Sequence, residues 1–183
     1  LRAVNILFQM KFELGKKRYN DYPTFFKTLF EERVQKLSID GGFTCPNRDG
    51  SKGVGGCSFC NNESFNPDYC RAVRGITEQI DEGIRFFARK YKGQRYLAYF
   101  QAYSNTYAPL DVLKLRYEEA LAHPMISGLV IGTRPDVVSE EVLDYLEELA
   151  RRYYVCVEYG VESVNDTVLR QVNRGHDFAV AEQ

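Results

Sequence analysis

The chain has 183 residues, enough for one domain with a sizeable core, and its 44% hydrophobic and 27% charged content excludes a disordered chain. Lys and Arg number 24 against 25 Asp and Glu, a formal net charge of −1, so no whole-molecule field draws it to nucleic acid or an anionic membrane. No run reaches the roughly 18 apolar residues of a membrane span, and residues 1–14, "LRAVNILFQMKFEL", lack the apolar centre and cleavage site of a secretory signal. The expectation is a cytoplasmic protein with no membrane partner.

Met10 reads as a start, so residues 1–9 are taken as upstream sequence; residues 1–18 as a whole are an N-terminal extension and 19–183 one core. "RVQKLSI" (33–39) alternates Val34, Leu37 and Ile39 with charge and predicts a strand leading into a glycine- and cysteine-rich loop. Ile76, Ile80, Ile84, Phe87 and Tyr91 fall on one face of a helix, and "RYLAYFQ" (95–101) follows as a buried strand. Pro109 suits a first helical turn, with Leu113, Tyr117, Ala120 and Leu121 as the inner stripe before Pro124. "GLVIG" (128–132) is a short apolar strand. Ser139 is an N-cap with Glu140 and Glu141 where the helix dipole favours carboxylates, and Val142, Leu143, Leu146, Leu149 and Ala150 face inward. "YYVCVEY" (153–159) is a fourth strand, Ser163 or Asn165 caps a short helix through Val172, and "DFAVAEQ" opens another.

Four consecutive βα units predict an α/β fold with a curving parallel sheet, a partial (β/α) barrel. The residues without a packing role fall after strands: Cys45–Cys60, Gln101–Asn105, Thr133–Asp136 and Gly160–Ser163. In βα-barrels that rim carries the chemistry. Four strands do not close a barrel, and an unpaired fourth strand is an exposed edge. The expectation is therefore either a piece of a longer polypeptide or a homodimer that covers the edge.

The loop "GFTCPNRDGSKGVGGCSFCNN" spaces Cys45, Cys57 and Cys60 as C-x11-C-x2-C. Three of five cysteines in one loop argue for metal or redox chemistry over disulfides. A structural zinc wants four donors, which Cys70 could complete, whereas three cysteines on an iron–sulfur cubane leave one iron open to a ligand. Spacing leaves both readings standing.

"KLSIDGGFTCPNRDG", "CSFCNN", "YLAYFQAYSNTYAP", "VIGTRPD" and "VEYGVES…VNRGHDF" together resemble the radical S-adenosylmethionine superfamily, in particular its YhcC-like group. That group is related to the Elongator catalytic subunit and oxygen-independent coproporphyrinogen oxidase. The resemblance implies that Cys45, Cys57 and Cys60 hold a 4Fe-4S cluster whose open iron takes S-adenosylmethionine. It further implies one-electron cleavage to a 5′-deoxyadenosyl radical, with an electron donor such as flavodoxin or ferredoxin. Glu162 stands where relatives have glutamine, and Arg174 where an arginine meets the methionyl end or ribose. "QAYSN" replaces the usual glycine pair after the second strand, so Gln101, Ala102 and Ser104 are carried over by position. Thr133, Arg134 and Glu158 are further cofactor-binding candidates, although Gly132 replaces a glutamate found in several relatives. The substrate is unknown, with RNA modification and small-molecule chemistry both open.

Several of these residues also have a plain reading. Cys156 is a packed strand residue. Cys70 is a loop residue or an auxiliary ligand, and Glu158 points into the barrel or out to solvent by strand alternation. Arg134 and Asp136 pair to fix a turn or contact a ligand. Phe43 and Phe59 would shield a cluster, and Tyr99, Tyr103 and Tyr107 would line a substrate mouth. The competing function is a zinc-stabilised binding module using Cys45, Cys57, Cys60 and Cys70, with "GKKRY" (15–19) and the charges between Arg85 and Arg95 meeting nucleic acid. The balanced net charge does not support nucleic acid as a partner.

Overall fold

Asp21 accepts a hydrogen bond at Oδ1 from the Thr24 amide at 2.8 Å, and Pro23 sits in the first turn, so a helix starts there: α1, Tyr22–Phe30. The computed structural model describes residues 18–19, 21–64, 66–89 and 94–183. Most of the N-terminal extension, Gly15–Lys17 of the basic stretch, and Lys90–Gly93, including Tyr91, lie outside the described residues. After α1 come β1 (Arg33–Ile39), α2 (Ile76–Ala88), β2 (Gln94–Phe100), α3 (Leu110–Ala122), β3 (Ile126–Thr133), α4 (Glu140–Ala150), β4 (Tyr154–Tyr159), α5 (Asp166–Gln171) and α6 (Ala179–Glu182). Short 3-10 turns at Asn62–Ser64 and Pro135–Val137 follow the first and third strands. Ser139 caps α4 through the Val142 amide, and of the two residues considered for α5 it is Asn165 that caps it.

The strands lie in the order β1-β2-β3-β4, all parallel, with Ile39 beside Phe100, Phe100 beside Ile131, and Ile131 beside Val157. One face carries Leu37, Ile39, Tyr96, Ala98, Phe100, Leu129 and Ile131 against the inner stripes of α2, α3 and α4, the main apolar core. Phe43 belongs to this core, 6.5 Å from the rings of Phe100 and Tyr117, so it packs behind the sheet rather than shielding the cysteines as expected.

The other face is concave. Lys36 of β1 pairs along the register with Leu97, and that row meets β4 near Tyr154, four residues before Glu158. In a flat sheet the two backbones would stand roughly 14 Å apart across three strands and roughly 13 Å apart along them, more than both side chains span. Yet Lys36 Nζ lies 2.5 Å from Glu158 Oε1. The sheet therefore curls as an open βα-barrel segment, and even-numbered residues of β1 and β4 point inside.

Helix α1 fills the lower part of that concave face. Phe26, 2% exposed, packs with Leu97 and Val130 and meets Tyr154 at 5.3 Å between ring centroids. This helix lies ahead of the first element expected from the sequence, although its cap and the Tyr22–Phe26–Phe30 spacing are legible there. Phe26→Ala should cost on the order of 3 kcal/mol, read as a lower urea midpoint at unchanged m-value. A loss under about 1 kcal/mol would show that α1 does not anchor the inner face.

Candidate cofactor-binding site

Above α1, at the carboxyl ends of the strands, a cavity of about 480 Å³ opens, within the range of small-molecule sites. Cys45, Cys57 and Cys60 are on its wall. The loop that carries them is fastened from two sides. On one, Asn47 is fully buried and donates through Nδ2 to the carbonyls of Asn173 at 2.5 Å and Arg174 at 3.0 Å and to Cys57 Sγ at 3.6 Å. Asn173 Nδ2 returns a bond to Gly56 O at 2.9 Å, and the Ser58 amide bonds Val172 O at 3.0 Å. Gly175 closes this junction: its φ is +78°, and a Cβ there would fall 2.3 Å from Asn47 Oδ1.

On the other side Arg134, 2% exposed, grips Asp136 with two parallel bonds of 2.8 and 2.7 Å while its Nη1 reaches Cys45 Sγ at 3.6 Å. Lys52 of the cysteine loop adds a 2.5 Å bond to the same carboxylate. Burial by itself would raise the Asp136 carboxyl, but the hydrogen bonds from Arg134 and Lys52 outweigh it and lower it to about 2. Arg134 and Asp136 thus pair to fix the turn, and Arg134 also lines the cavity.

Gln101, Ser104, Thr133, Arg134, Glu158, Glu162 and Arg174 line the cavity; Ala102 is buried and is not on its wall. Gln101 Nε2 is tied to Ser38 Oγ at 3.0 Å, and Thr133 shares a 2.6 Å bond with Thr106. Arg174, 6% exposed, donates to Gly160 O, to His176 Nε2 at 3.0 Å and to Cys57 Sγ at 3.7 Å, with Glu162 at 3.9 Å. His176 therefore accepts at Nε2, leaving Nδ1 to donate to Asp177 O at 2.8 Å. Tyr99, Tyr103 and Phe59 also line the cavity, whereas Tyr107 turns to Ser51 at 3.0 Å.

The floor is charged. Glu158 points inward, and the Lys36 ammonium bonded to it lies over the rings of Tyr99 and Tyr22 at 4.5 and 4.9 Å. Burial works against the Lys36 cation, but the bonds to Glu158 and Tyr22 prevail and raise its pKa; burial and the neighbouring carboxylate push Tyr99 up to about 12. Lys36 escaped the sequence reading because a lysine inside a strand reads as solvent-facing until the curl of the sheet is known.

Cys70 is 1% exposed, off the cavity wall, and its thiol is pushed up to about 12 by burial and the nearby Asp40 carboxylate. Cys156 packs on the inner face beside Tyr154. Among the described residues no three His, Cys, Asp or Glu side chains gather closely enough to hold a single ion. Three separate thiols on one wall, each with an N–H donor at hand, suit a cluster of several metal atoms better than one tetrahedral zinc. The residues present fit such a group.

The family model of the Radical SAM superfamily matches residues 45–183. The chain is 46% identical over 151 residues to protein YhcC of Escherichia coli (strain K12), covering 82% of this chain and 48% of that protein. To YtqA of Bacillus subtilis (strain 168) it is 38% identical over 163 residues, 89% of this chain and 51% of the relative. To MJ0486 of Methanocaldococcus jannaschii it is 34% identical over 165 residues, 88% and 49%. The chain spans about half the length of the curated relatives it matches.

Asp136 in the fold sits at about 2 against an ordinary 3.8, so its contribution is present above about pH 4 and is lost as pH falls toward 2. Asp136→Asn should therefore cost on the order of 1–2 kcal/mol at pH 7 and much less at pH 2.5, by urea denaturation at both. A deficit of equal size at the two pH values would contradict this origin.

Proposed function

The chain belongs to the radical S-adenosylmethionine superfamily, and from that we propose that it holds a 4Fe-4S cluster on Cys45, Cys57 and Cys60 and binds S-adenosylmethionine in the adjoining cavity. The observation that carries this is the presence of those three thiols, and no other, on the wall of one cavity at the carboxyl ends of a parallel βα sheet. When bound, cluster and cofactor supply reductive cleavage to a 5′-deoxyadenosyl radical that takes hydrogen from a substrate.

The protein's own part is placement and exclusion of water. Arg134 and Arg174 are almost wholly buried and direct N–H groups at the sulfurs of Cys45 and Cys57, which orients those sulfurs as ligands. Thr133 from the end of β3, Glu162 from the loop after β4 and Arg174 from the turn after α5 line one cavity and offer hydroxyl, carboxylate and guanidinium to a nucleoside with an amino-acid tail. Gln101 and Ser104 contribute polar groups from the end of β2, and Glu158 closes the floor. Phe59, beside Cys60 in sequence, is half exposed at the mouth, where an apolar ring limits water near the metal. The electron comes from a one-electron donor of the flavodoxin or ferredoxin class. A substrate would enter over Tyr99 and Tyr103.

Anaerobic reconstitution of the full-length protein should give about four irons per chain and, with a strong reductant and S-adenosylmethionine, release 5′-deoxyadenosine. Ala at Cys45, Cys57 or Cys60 should abolish both, while Cys70→Ala should keep the iron. Failure to take up iron, or zinc uptake that depends on Cys70, would overturn the reading.

A further inference from the structure

The three thiols are met by three guanidiniums, one each. Arg134 Nη1 stands 3.6 Å from Cys45 Sγ, Arg174 Nη1 3.7 Å from Cys57 Sγ, and Arg48 Nη2 3.6 Å from Cys60 Sγ. Their charges are not equivalent. Arg134 is matched by Asp136 at 2.7 Å, and Arg174 has Glu162 at 3.9 Å. Among the described residues Arg48 has no carboxylate within salt-bridge distance; its other partners are the Cys60 carbonyl at 3.5 Å and the Tyr103 ring, whose centroid is 5.4 Å from the guanidinium carbon.

Two backbone features hold it there. Gly56 has φ +83°, and a Cβ at that position would come 3.0 Å from Arg48 Nε, so the bare glycine lets the guanidinium lie across the loop. Tyr103 has φ 64°, a left-handed conformation costly for a residue with a bulky side chain. That strain falls on the residue whose ring covers Arg48.

We propose that Arg48, seated between Gly56 and Tyr103, raises the electron affinity of the cluster through Cys60. This rests on the reading of Cys45, Cys57 and Cys60 as cluster ligands. One electron from a flavodoxin- or ferredoxin-class donor adds one negative charge to the cluster and makes or breaks no protein bond. A fixed cation with an N–H directed at a ligating sulfur stabilises the reduced state more than the oxidised one. Arg134 and Arg174 also donate to sulfur, but the carboxylates beside them cancel part of their field. Arg48 keeps its charge, tempered by its exposure to water.

The test is a redox titration, followed by electron paramagnetic resonance, of the full-length protein reconstituted anaerobically with iron and sulfide, alongside Arg48→Leu, Arg48→Lys and Tyr103→Gly. With iron content equal to wild type, Arg48→Leu should lower the ratio of reduced to oxidised cluster at a fixed potential about three- to tenfold, tenfold being about 59 mV for one electron. Arg48→Lys should recover most of that loss. Tyr103→Gly removes the ring and the strain together, so it should shift the ratio the same way without lowering thermal stability. A full complement of iron in Arg48→Leu with a ratio within about 1.5-fold of wild type overturns the proposal. Should Arg48→Leu lose iron, an unmoved potential in Tyr103→Gly overturns it instead. Wild-type protein that takes up no iron ends the cluster reading, and this inference with it.

Discussion

The double fastening of the cysteine loop is the constraint on which the rest of the site depends. Between Cys45 and Cys60 the chain is rich in glycine and polar residues and contributes only Pro46, Asn47, Gly56 and Cys57 to the interior. Such a segment cannot hold its own shape by apolar burial. Its form comes from hydrogen bonds made far away in sequence: Asn47 and Asn173 bind it to the turn after α5, and Lys52, Asp136 and Arg134 bind it to the end of β3. Asn47, Arg134 and the Asp136 carboxylate are nearly dry, where each bond is worth more than at the surface and each loss leaves an unpaired group, whereas Asn173 and Lys52 reach them from exposed positions. The same arginines that anchor the loop reach its sulfurs, so the geometry of the thiols and their electrostatics have one origin.

Strain gathers in the same place. Of the non-glycine residues with positive φ, Tyr103 and Glu162 line the cavity and Asn173 belongs to the loop clamp. Asn tolerates that conformation; a tyrosine and a glutamate do so at a cost that their surroundings must offset. The offset is at hand, because each stands in the loop that follows a strand whose register is held on the sheet, β2 for Tyr103 and β4 for Glu162. Rigid strands carry irregular ends, the usual division of labour in a βα-barrel.

The two faces of the sheet show what curling does to an ordinary pattern. Behind it, aliphatic and aromatic residues of three helices make a core that any α/β protein could have. In front, α1 fills the lower half with Phe26, and the upper half ends in the Lys36–Glu158 pair rather than in more carbon. An ion pair there adds little net stability, since desolvation takes back most of the attraction. What it does is set a polar floor beneath a site whose rim carries three guanidiniums and three sulfurs.

Local sequence determined the order, type and approximate limits of the elements from β1 onward, because alternation, helical periodicity and caps such as Ser139 act within a few residues. It also placed Cys45, Cys57 and Cys60 in one loop, and motif order was enough to show the family. Only the tertiary structure decided that Glu158 faces inward to Lys36, that Cys70 lies apart from the other thiols, that Phe43 packs behind the sheet, and that Arg48, Arg134 and Arg174 each meet a different sulfur. Those outcomes turn on the curl of the sheet and on contacts between segments up to 127 residues apart. Neither leaves a trace in local periodicity, which reports a residue's side of its own element and not what stands across from it.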